Sequence, residues 1–253
     1  MTTHVIADTT ALTTRSLRHI LRSPDTIITT AVMPIGILLL FVFVLGGAID
    51  TGSQSYIDYL LPGILLITIA SGVAYTSYRL FLDLQGGMFE RFQSMPIARS
   101  SALWAHVLTS LAANLVSLAI VIGVAFLLGF RSGAGVLAWL AVVGILLLFT
   151  LSLTWLAVFA GLSAKSVDGA SAFSYPLIFL PFISSAFVPT DTMPRPVAWF
   201  AEYQPVTPIV DTIRALFAGQ PVGADIWIAL AWMLGILLVG YVFAMLRYRR
   251  RIR

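Results

Sequence analysis

Long uncharged stretches alternate with shorter polar segments along the chain. A helix of about 20 apolar residues spans the ~30 Å hydrocarbon core of a bilayer, and six stretches are about that long or longer. We therefore predict six transmembrane helices, at residues 26–49, 59–78, 102–128, 136–161, 170–188 and 226–246. None of the six contains Asp, Glu, Lys or Arg. The pattern predicts an all-α polytopic membrane protein, with residues 1–253 forming a single transmembrane domain.

An amphipathic segment precedes the first span, at residues 7–23. Its helical wheel separates an apolar face, made of Leu12, Leu17, Ile20 and Leu21, from a basic face, made of Arg15, Arg18 and Arg22. Such a helix lies in the headgroup region of a membrane, and Pro24 ends it. Two interpretations remain open: a plain membrane anchor, or a helix that also contacts a cytoplasmic partner.

A second amphipathic helix is predicted at residues 86–96, between spans two and three. Gly86 and Gly87 allow the backbone to turn, and Pro96 ends the helix. The side chains of Met88, Phe92 and Met95 share one face. This face is suited to a groove on another protein, and the alternative is a helix lying on the membrane surface.

The connection between spans five and six carries six of the twelve prolines, which forbid one long helix there. Short helices fit within residues 194–219, with an apolar face made of Ile209, Ile213, Leu216 and Phe217. Asp211 and Arg214 are spaced to pair at i, i+3, and Gly219 is suited to cap the helix end. We expect these helices either to dip into the outer leaflet or to cap the bundle as a structural lid.

Composition and charge indicate that these elements lie in a membrane, and in which orientation. Of the 253 residues, 59% are hydrophobic and 10% are charged, whereas soluble domains carry roughly 25% charged residues. The net charge of +4 does not indicate nucleic-acid binding, because most basic residues lie beside the apolar stretches. With six spans, twelve Lys and Arg residues fall on one side and three on the other. This asymmetry predicts cytoplasmic termini and a multi-pass protein of the bacterial inner membrane.

The chain offers little catalytic chemistry. It has no G-x-x-x-x-G-K-[ST] phosphate loop, no Cys, and three scattered His residues without a carboxylate or second His at ligand spacing. We therefore expect a protein that is not itself an enzyme and that binds no metal or cofactor.

Two predicted spans carry polar stripes at helical spacing. The first consists of Thr68, Ser71 and Tyr75, and the second of His106, Ser110, Asn114 and Ser117. Hydroxyl groups in membrane helices commonly bond to their own backbone or join neighbouring helices. The amide of Asn114 needs a partner, either across a helix interface or in a polar translocation path. Pro176 and Pro181 should kink the fifth span.

The order of several short motifs resembles one known family. They include Tyr-Leu-Leu-Pro-Gly at 59–63, Gly-Met-Phe-Glu-Arg-Phe-x-Ser-Met-Pro-Ile-x-Arg at 87–99, Gly-Phe-Arg at 129–131, Ser-x-Phe-Val-Pro at 185–189 and Phe-Ala-Glu-x-x-Pro-Val-Thr at 200–207. Together they resemble the ABC-2 type exporter permeases, in particular the daunorubicin-resistance-like branch, from about residue 12 to 219. One departure is Met-Pro-Arg-Pro at 193–196, where many relatives have an aromatic residue after Met-Pro.

The resemblance implies a half-transporter. In that family two six-span permease subunits, identical or paralogous, work with two copies of a separate cytosolic ABC ATPase, which binds ATP and Mg. The helix between spans two and three is the family's coupling helix, which assigns ATPase coupling here to Gly87, Met88, Phe89, Glu90, Arg91, Phe92, Met95 and Pro96. The short helices at 194–219 match the family's external re-entrant helices.

The expected function is ATP-driven export of amphiphilic compounds such as drugs, antibiotics or lipids. Candidate residues lining the substrate pathway are Thr68, Ser71, Tyr75, Asn114, Phe173 and Tyr175. Two alternatives remain: an exporter of a polyprenyl-linked glycan or native envelope lipid, and a secondary transporter that works without an ATPase.

Overall fold

A computed structural model describes residues 24–46, 55–87 and 101–251. Throughout these ranges the regular secondary structure is helical. The amphipathic helix predicted at 7–23 lies outside the described residues, as does the segment 88–96 of the predicted cytoplasmic helix.

Five long helices follow the apolar pattern. They are α1 (Pro24–Leu40, continued by a π-helical turn at Phe41–Leu45), α2 (Tyr56–Gln85), α3 (Ser101–Leu127), α4 (Val136–Ser163) and α9 (Asp225–Arg251). Among the described residues, α2, α3, α4 and α9 are the four helices long and apolar enough to cross a membrane. The described apolar part of α1, Ala31–Leu45, is shorter. Helix α2 extends to Gln85, seven residues beyond the end predicted from charge-free sequence, so that Arg79 and Asp83 lie on it.

The segment predicted as the fifth span is interrupted rather than one continuous helix. It consists of α5 (Val167–Ala172), α6 (Ser174–Phe179) and a 3-10 turn at Leu180–Ile183. Pro176 lies in the first turn of α6, where its missing N–H is tolerated, and Pro181 lies in the 3-10 turn. The two prolines therefore sit where helical hydrogen bonding restarts or changes type, and a crossing by this segment stays a prediction.

Two short helices, α7 (Arg195–Tyr203) and α8 (Val206–Phe217), follow a 3-10 turn at Thr190–Thr192. The predicted end of the second helix is confirmed. Gly219 has a positive φ of 68°, its N–H donates to the Leu216 carbonyl at 3.1 Å, and the N–H of Gln220 donates to the Ala215 carbonyl at 2.9 Å. This is the hydrogen-bond pattern of a Schellman C-cap, which requires a residue that tolerates the left-handed region.

Helix α2 forms the centre of the bundle. All its residues from Leu60 to Ala70 are buried, and it packs against α1, α3, α4, α5, α6 and α8. Helix α9 packs on the other side of α4 and against α8. A separate apolar cluster joins one end of α2, α3, α4 and α9, and it consists of Leu80, Leu103, Val107, Trp155, Val158, Leu162, Ala244 and Tyr248.

Helices α2 and α4 approach closely at a glycine. A Cβ atom added at Gly161 would lie 2.9 Å from the carbonyl oxygen of Ser77 and 3.3 Å from the side chain of Leu80. Gly240 permits a similar approach of α9 to α4, where an added Cβ would lie 3.0 Å from the backbone nitrogen of Leu156. The absence of a side chain therefore sets the spacing of α4 from both neighbours.

We expect Gly161→Ala to destabilise the protein by about 1–3 kcal/mol, because the new methyl group meets backbone that cannot move independently. Gly144→Ala is the matched control, since an added Cβ there has no atom within 4 Å on the same helix α4. Both variants gain the same helix-propensity benefit of roughly 0.5–1 kcal/mol. Thermal unfolding in detergent, followed by the loss of monodisperse protein, should place G161A below wild type and G144A at or above it. Equal melting temperatures for the two variants would contradict this packing.

Candidate functional site

The structure places the predicted pathway residues at different depths. Thr68 is fully buried, and its hydroxyl donates to the carbonyl of Ile64 at 2.8 Å. The Ser71 hydroxyl is buried, and no hydrogen-bond partner for it lies among the described residues. Tyr75 is half-buried, with its ring centroid 6.1 Å from that of Tyr78 and 5.8 Å from the guanidinium carbon of Arg79. All these residues lie on α2.

Phe173 and Tyr175 lie at the break between α5 and α6. Phe173 is half-buried and packs against the main apolar core, whereas Tyr175 is 59% exposed. These two aromatic side chains therefore face different surroundings, and their pathway role stays a prediction. Of the predicted coupling residues, Gly87 lies at the end of the described segment, and its φ of 69° requires the freedom of glycine. Met88, Phe89, Glu90, Arg91, Phe92, Met95 and Pro96 lie outside the described residues.

A three-helix polar cluster, defined by Thr76, Ser110, Asn114 and Thr154, joins α2, α3 and α4. The Thr76 hydroxyl donates to the Ser110 hydroxyl at 2.8 Å, and the hydroxyls of Ser110 and Thr154 lie 3.2 Å apart. The Asn114 amide donates to the carbonyl of Ser110 at 2.9 Å. All four side chains are at most 7% exposed. In an apolar interior, these bonds satisfy polar groups whose burial would otherwise be costly.

Asn114 is only partly satisfied by this cluster. No donor among the described residues reaches its Oδ1 atom, although the side chain is 2% exposed. The atom lies against Gly72 of α2, where any Cβ would overlap the Asn114 side chain. Gly72 therefore provides the room that lets a buried amide sit between α2 and α3, and the open acceptor is one to which a polar group of a ligand or a water molecule could donate.

The Arg214 clamp, formed by Arg214, Asp211, Tyr59 and Ser185, fixes α8 to the rest of the bundle. The guanidinium of Arg214 donates to the Asp211 carboxylate at 2.6 Å, to the Ser185 carbonyl at 2.7 Å and to the Tyr59 carbonyl at 3.1 and 3.2 Å. Its central carbon lies 3.8 Å from the centroid of the Tyr59 ring, within cation–π range. The predicted Asp211–Arg214 pair is thus confirmed, and the structure adds the start of α2 and the segment after α6 to it.

The carboxylate of Asp211 also accepts a hydrogen bond from the Ser185 hydroxyl at 2.7 Å. Burial raises the pKa of this carboxyl group, while the Arg214 guanidinium and the Ser185 hydroxyl act in the opposite direction.

The loop between α3 and α4 also binds α8. The N–H of Gly133 and the hydroxyl of Ser132 both donate to the carbonyl of Phe217, at 2.9 and 3.0 Å. Helix α8 is therefore held along its second half and at its carboxyl-terminal end.

One ionisable pair was missed by the sequence analysis, which treated the three His residues as having no carboxylate partner. Nε2 of His106 on α3 lies 3.2 Å from Oδ2 of Asp83 on α2. The signal that could have found it is the antiparallel arrangement expected of two helices joined by one loop. Asp83 and His106 lie about equally far from the middle of that loop.

Arg214→Lys should destabilise the protein by about 1–3 kcal/mol, because one ammonium group cannot donate to Asp211 and to two backbone carbonyls in the planar geometry of arginine. Arg195→Lys on α7 is the matched control, since Arg195 is exposed. Thermal unfolding in detergent should show a lower melting temperature for R214K and little change for R195K. Equal melting temperatures for R214K and R195K would show that the Arg214 clamp does not stabilise the protein.

Comparison with known proteins agrees with this arrangement of apolar helices. The ABC-2 type transporter family matches residues 7–218. A daunorubicin resistance ABC transporter permease protein, DrrB1 of Streptomyces coeruleorubidus, is 28% identical over 232 residues, covering 90% of this chain and 81% of the relative. A probable doxorubicin resistance ABC transporter permease protein, DrrC of Mycobacterium tuberculosis, is 27% identical over 250 residues, covering 97% and 89%. The chain belongs to the ABC-2 type transporter family and is a multi-pass membrane permease subunit of an ABC transporter.

Proposed function

We propose that this permease exports amphiphilic compounds such as drugs, antibiotics or lipids from the cytoplasm or the inner leaflet. ATP would be hydrolysed by two copies of a separate cytosolic ABC ATPase, which bind ATP and Mg. The observation that carries the proposal is the family match over residues 7–218, together with relatives named for daunorubicin and doxorubicin resistance. Both relatives are named for resistance to a drug, which favours export of a drug-like molecule.

The chemistry of the bundle supports an amphiphilic substrate. Where α2, α3 and α4 meet, the buried polar groups of the three-helix polar cluster are hydroxyls and the amide of Asn114. The charged side chains of Asp211 and Arg214 pair with each other. Apolar walls with a few hydroxyl groups bind a largely hydrophobic molecule by shape and orient it by single hydrogen bonds. Thr68, Ser71, Tyr75, Asn114, Phe173 and Tyr175 are the residues we propose for this contact.

We further propose that two permease subunits, identical or paralogous, assemble into the working transporter. Large apolar side chains are exposed on α1 and α6, and they include Val32, Phe43, Val44, Tyr175 and Phe179. Exposed apolar surface of this extent suits either lipid or a second permease, and the family resemblance favours the second subunit for part of it.

Six spans with both termini in the cytoplasm complete the proposal. In this arrangement α1 and the α5–α6 segment cross the membrane in addition to the four long apolar helices. The loop between α8 and α9 then faces the outside, and the α4–α5 turn faces the cytoplasm.

This topology is testable because the natural chain has no Cys. Gln220→Cys, in the exposed connection between α8 and α9, should react with a membrane-impermeant maleimide in intact cells. Val167→Cys, exposed at the start of α5, should react only after the membrane is permeabilised. The reverse accessibility, or equal labelling of both positions in intact cells, would overturn the proposed orientation.

The coupling assignment predicts how the partner ATPase responds to substrate. Daunorubicin should stimulate ATP hydrolysis by the purified permease–ATPase complex, and replacing Glu90 and Pro96 with Ala should abolish the stimulation. Replacement of Glu202, an exposed acidic residue on the external helix α7, is the matched control and should leave the stimulation intact.

Two outcomes separate the alternatives. Stimulation by a polyprenyl-linked glycan or a native envelope lipid, with no response to daunorubicin, would favour the exporter of envelope components. Transport that persists when the ATPase is catalytically inactive would contradict ATP-driven export and favour a secondary transporter.

A further inference from the structure

We propose that His106 and Asp83 are positioning residues that hold the cytoplasmic ends of α2 and α3 at a fixed position relative to each other. A movement of the chain that connects the two helices then moves both of them together. The inference rests on the proposed function, in which the chain between α2 and α3 receives the movement of the partner ATPase. Neither residue was assigned a role by the motifs that indicate coupling, since both lie on the helices that flank those motifs.

The geometry places the pair at the right point. Helix α2 ends at Gln85 and α3 begins at Ser101, so Asp83 lies in the last turn of α2 and His106 in the second turn of α3. Their side chains meet at 3.2 Å, with His106 18% and Asp83 23% exposed. The contact is thus largely shielded from solvent, and it joins the two helices directly before the chain leaves them.

Helix stability alone does not explain this Asp. The carboxyl-terminal end of a helix carries partial negative charge, so an acidic residue in the last turn is unfavourable for its own helix. The imidazole of His106 on α3 supplies a compensating interaction. Asp83 gains this interaction because α2 and α3 lie side by side.

Another polar link joins the same two helices. The Thr76–Ser110 hydrogen bond of 2.8 Å lies deeper in the bundle, two helical turns from Asp83, or roughly 10 Å along α2. Two directional links at different depths fix both the separation and the angle of a helix pair. The apolar cluster that contains Leu80, Leu103 and Val107 also joins the two helices, but hydrophobic burial is non-directional.

Four variants test whether this bond sets the coupling. D83L and H106F remove it with side chains of similar bulk, whereas D83N keeps an acceptor and H106Q keeps a donor at similar reach. D168L is the matched control, since Asp168 is exposed near the cytoplasmic start of α5. The measurement is daunorubicin transported per ATP hydrolysed by the permease–ATPase complex in proteoliposomes.

We expect D83L and H106F to bind the ATPase normally but to lose about fivefold in this ratio, a change of the size that one hydrogen bond supplies. D83N and H106Q should retain most of the ratio, and D168L should match wild type. The double variant D83L/H106F should be no worse than either single variant, because both remove the same contact. Unchanged ratios in D83L and H106F, or losses that multiply in the double variant, would overturn the inference.

A second measurement works on the permease alone. Spin labels at Gln85→Cys and Leu108→Cys, both exposed positions of a chain without natural Cys, report the distance between α2 and α3 by electron paramagnetic resonance. D83L and H106F should broaden the distance distribution, and D83N and H106Q should not. An unchanged distance distribution in D83L and H106F refutes the positioning role, whatever the transport measurement shows. Absence of ATP-dependent transport by the wild-type complex counts instead against the proposed function.

Discussion

The helix bundle depends on one constraint: inside hydrocarbon, a polar group must find its hydrogen-bond partner within the protein. Thr68 meets this requirement with a carbonyl of its own helix, and so do Thr150 and Thr154. Ser110 meets it with side chains from two other helices, which brings α2, α3 and α4 together at one level. That meeting is sterically possible because Gly72 and Gly161 leave room where α2 approaches α3 and α4.

The two ends of the bundle use different interactions. At the proposed external end, the Arg214 clamp binds backbone carbonyls of the start of α2 and of the segment after α6, and the α3–α4 loop binds the end of α8. These bonds make α8 a fixed cap rather than a free flap. At the other end, the His106–Asp83 pair links only α2 and α3. Extensive hydrogen bonding at the proposed external end and the His106–Asp83 link at the other end suit the proposed delivery of movement from the cytoplasm.

Local physics made several features predictable. The amphipathic face of α8 repeats every three to four residues, and the Schellman cap at Gly219 needs only a glycine after the last helical turn. Charge-free runs located the long helices, but their ends differ, because α2 continues through Arg79 and Asp83, which a hydropathy argument excludes. The interruption near Phe173 was not foreseen. Prolines predict an irregular helix, but whether the helix kinks or breaks depends on what packs around it.

The sequence by itself determined the membrane setting, the helical class, the positions of most apolar helices and the family, because each depends on composition or on patterns within one segment. Only the tertiary structure decided the partners of the polar groups. Ser110 could have faced a pathway, Arg214 could have paired with Asp211 alone, and His106 looked isolated; each is instead joined to another helix. Contacts between helices depend on their relative rotation and depth, which local periodicity restricts to a face without selecting the neighbour.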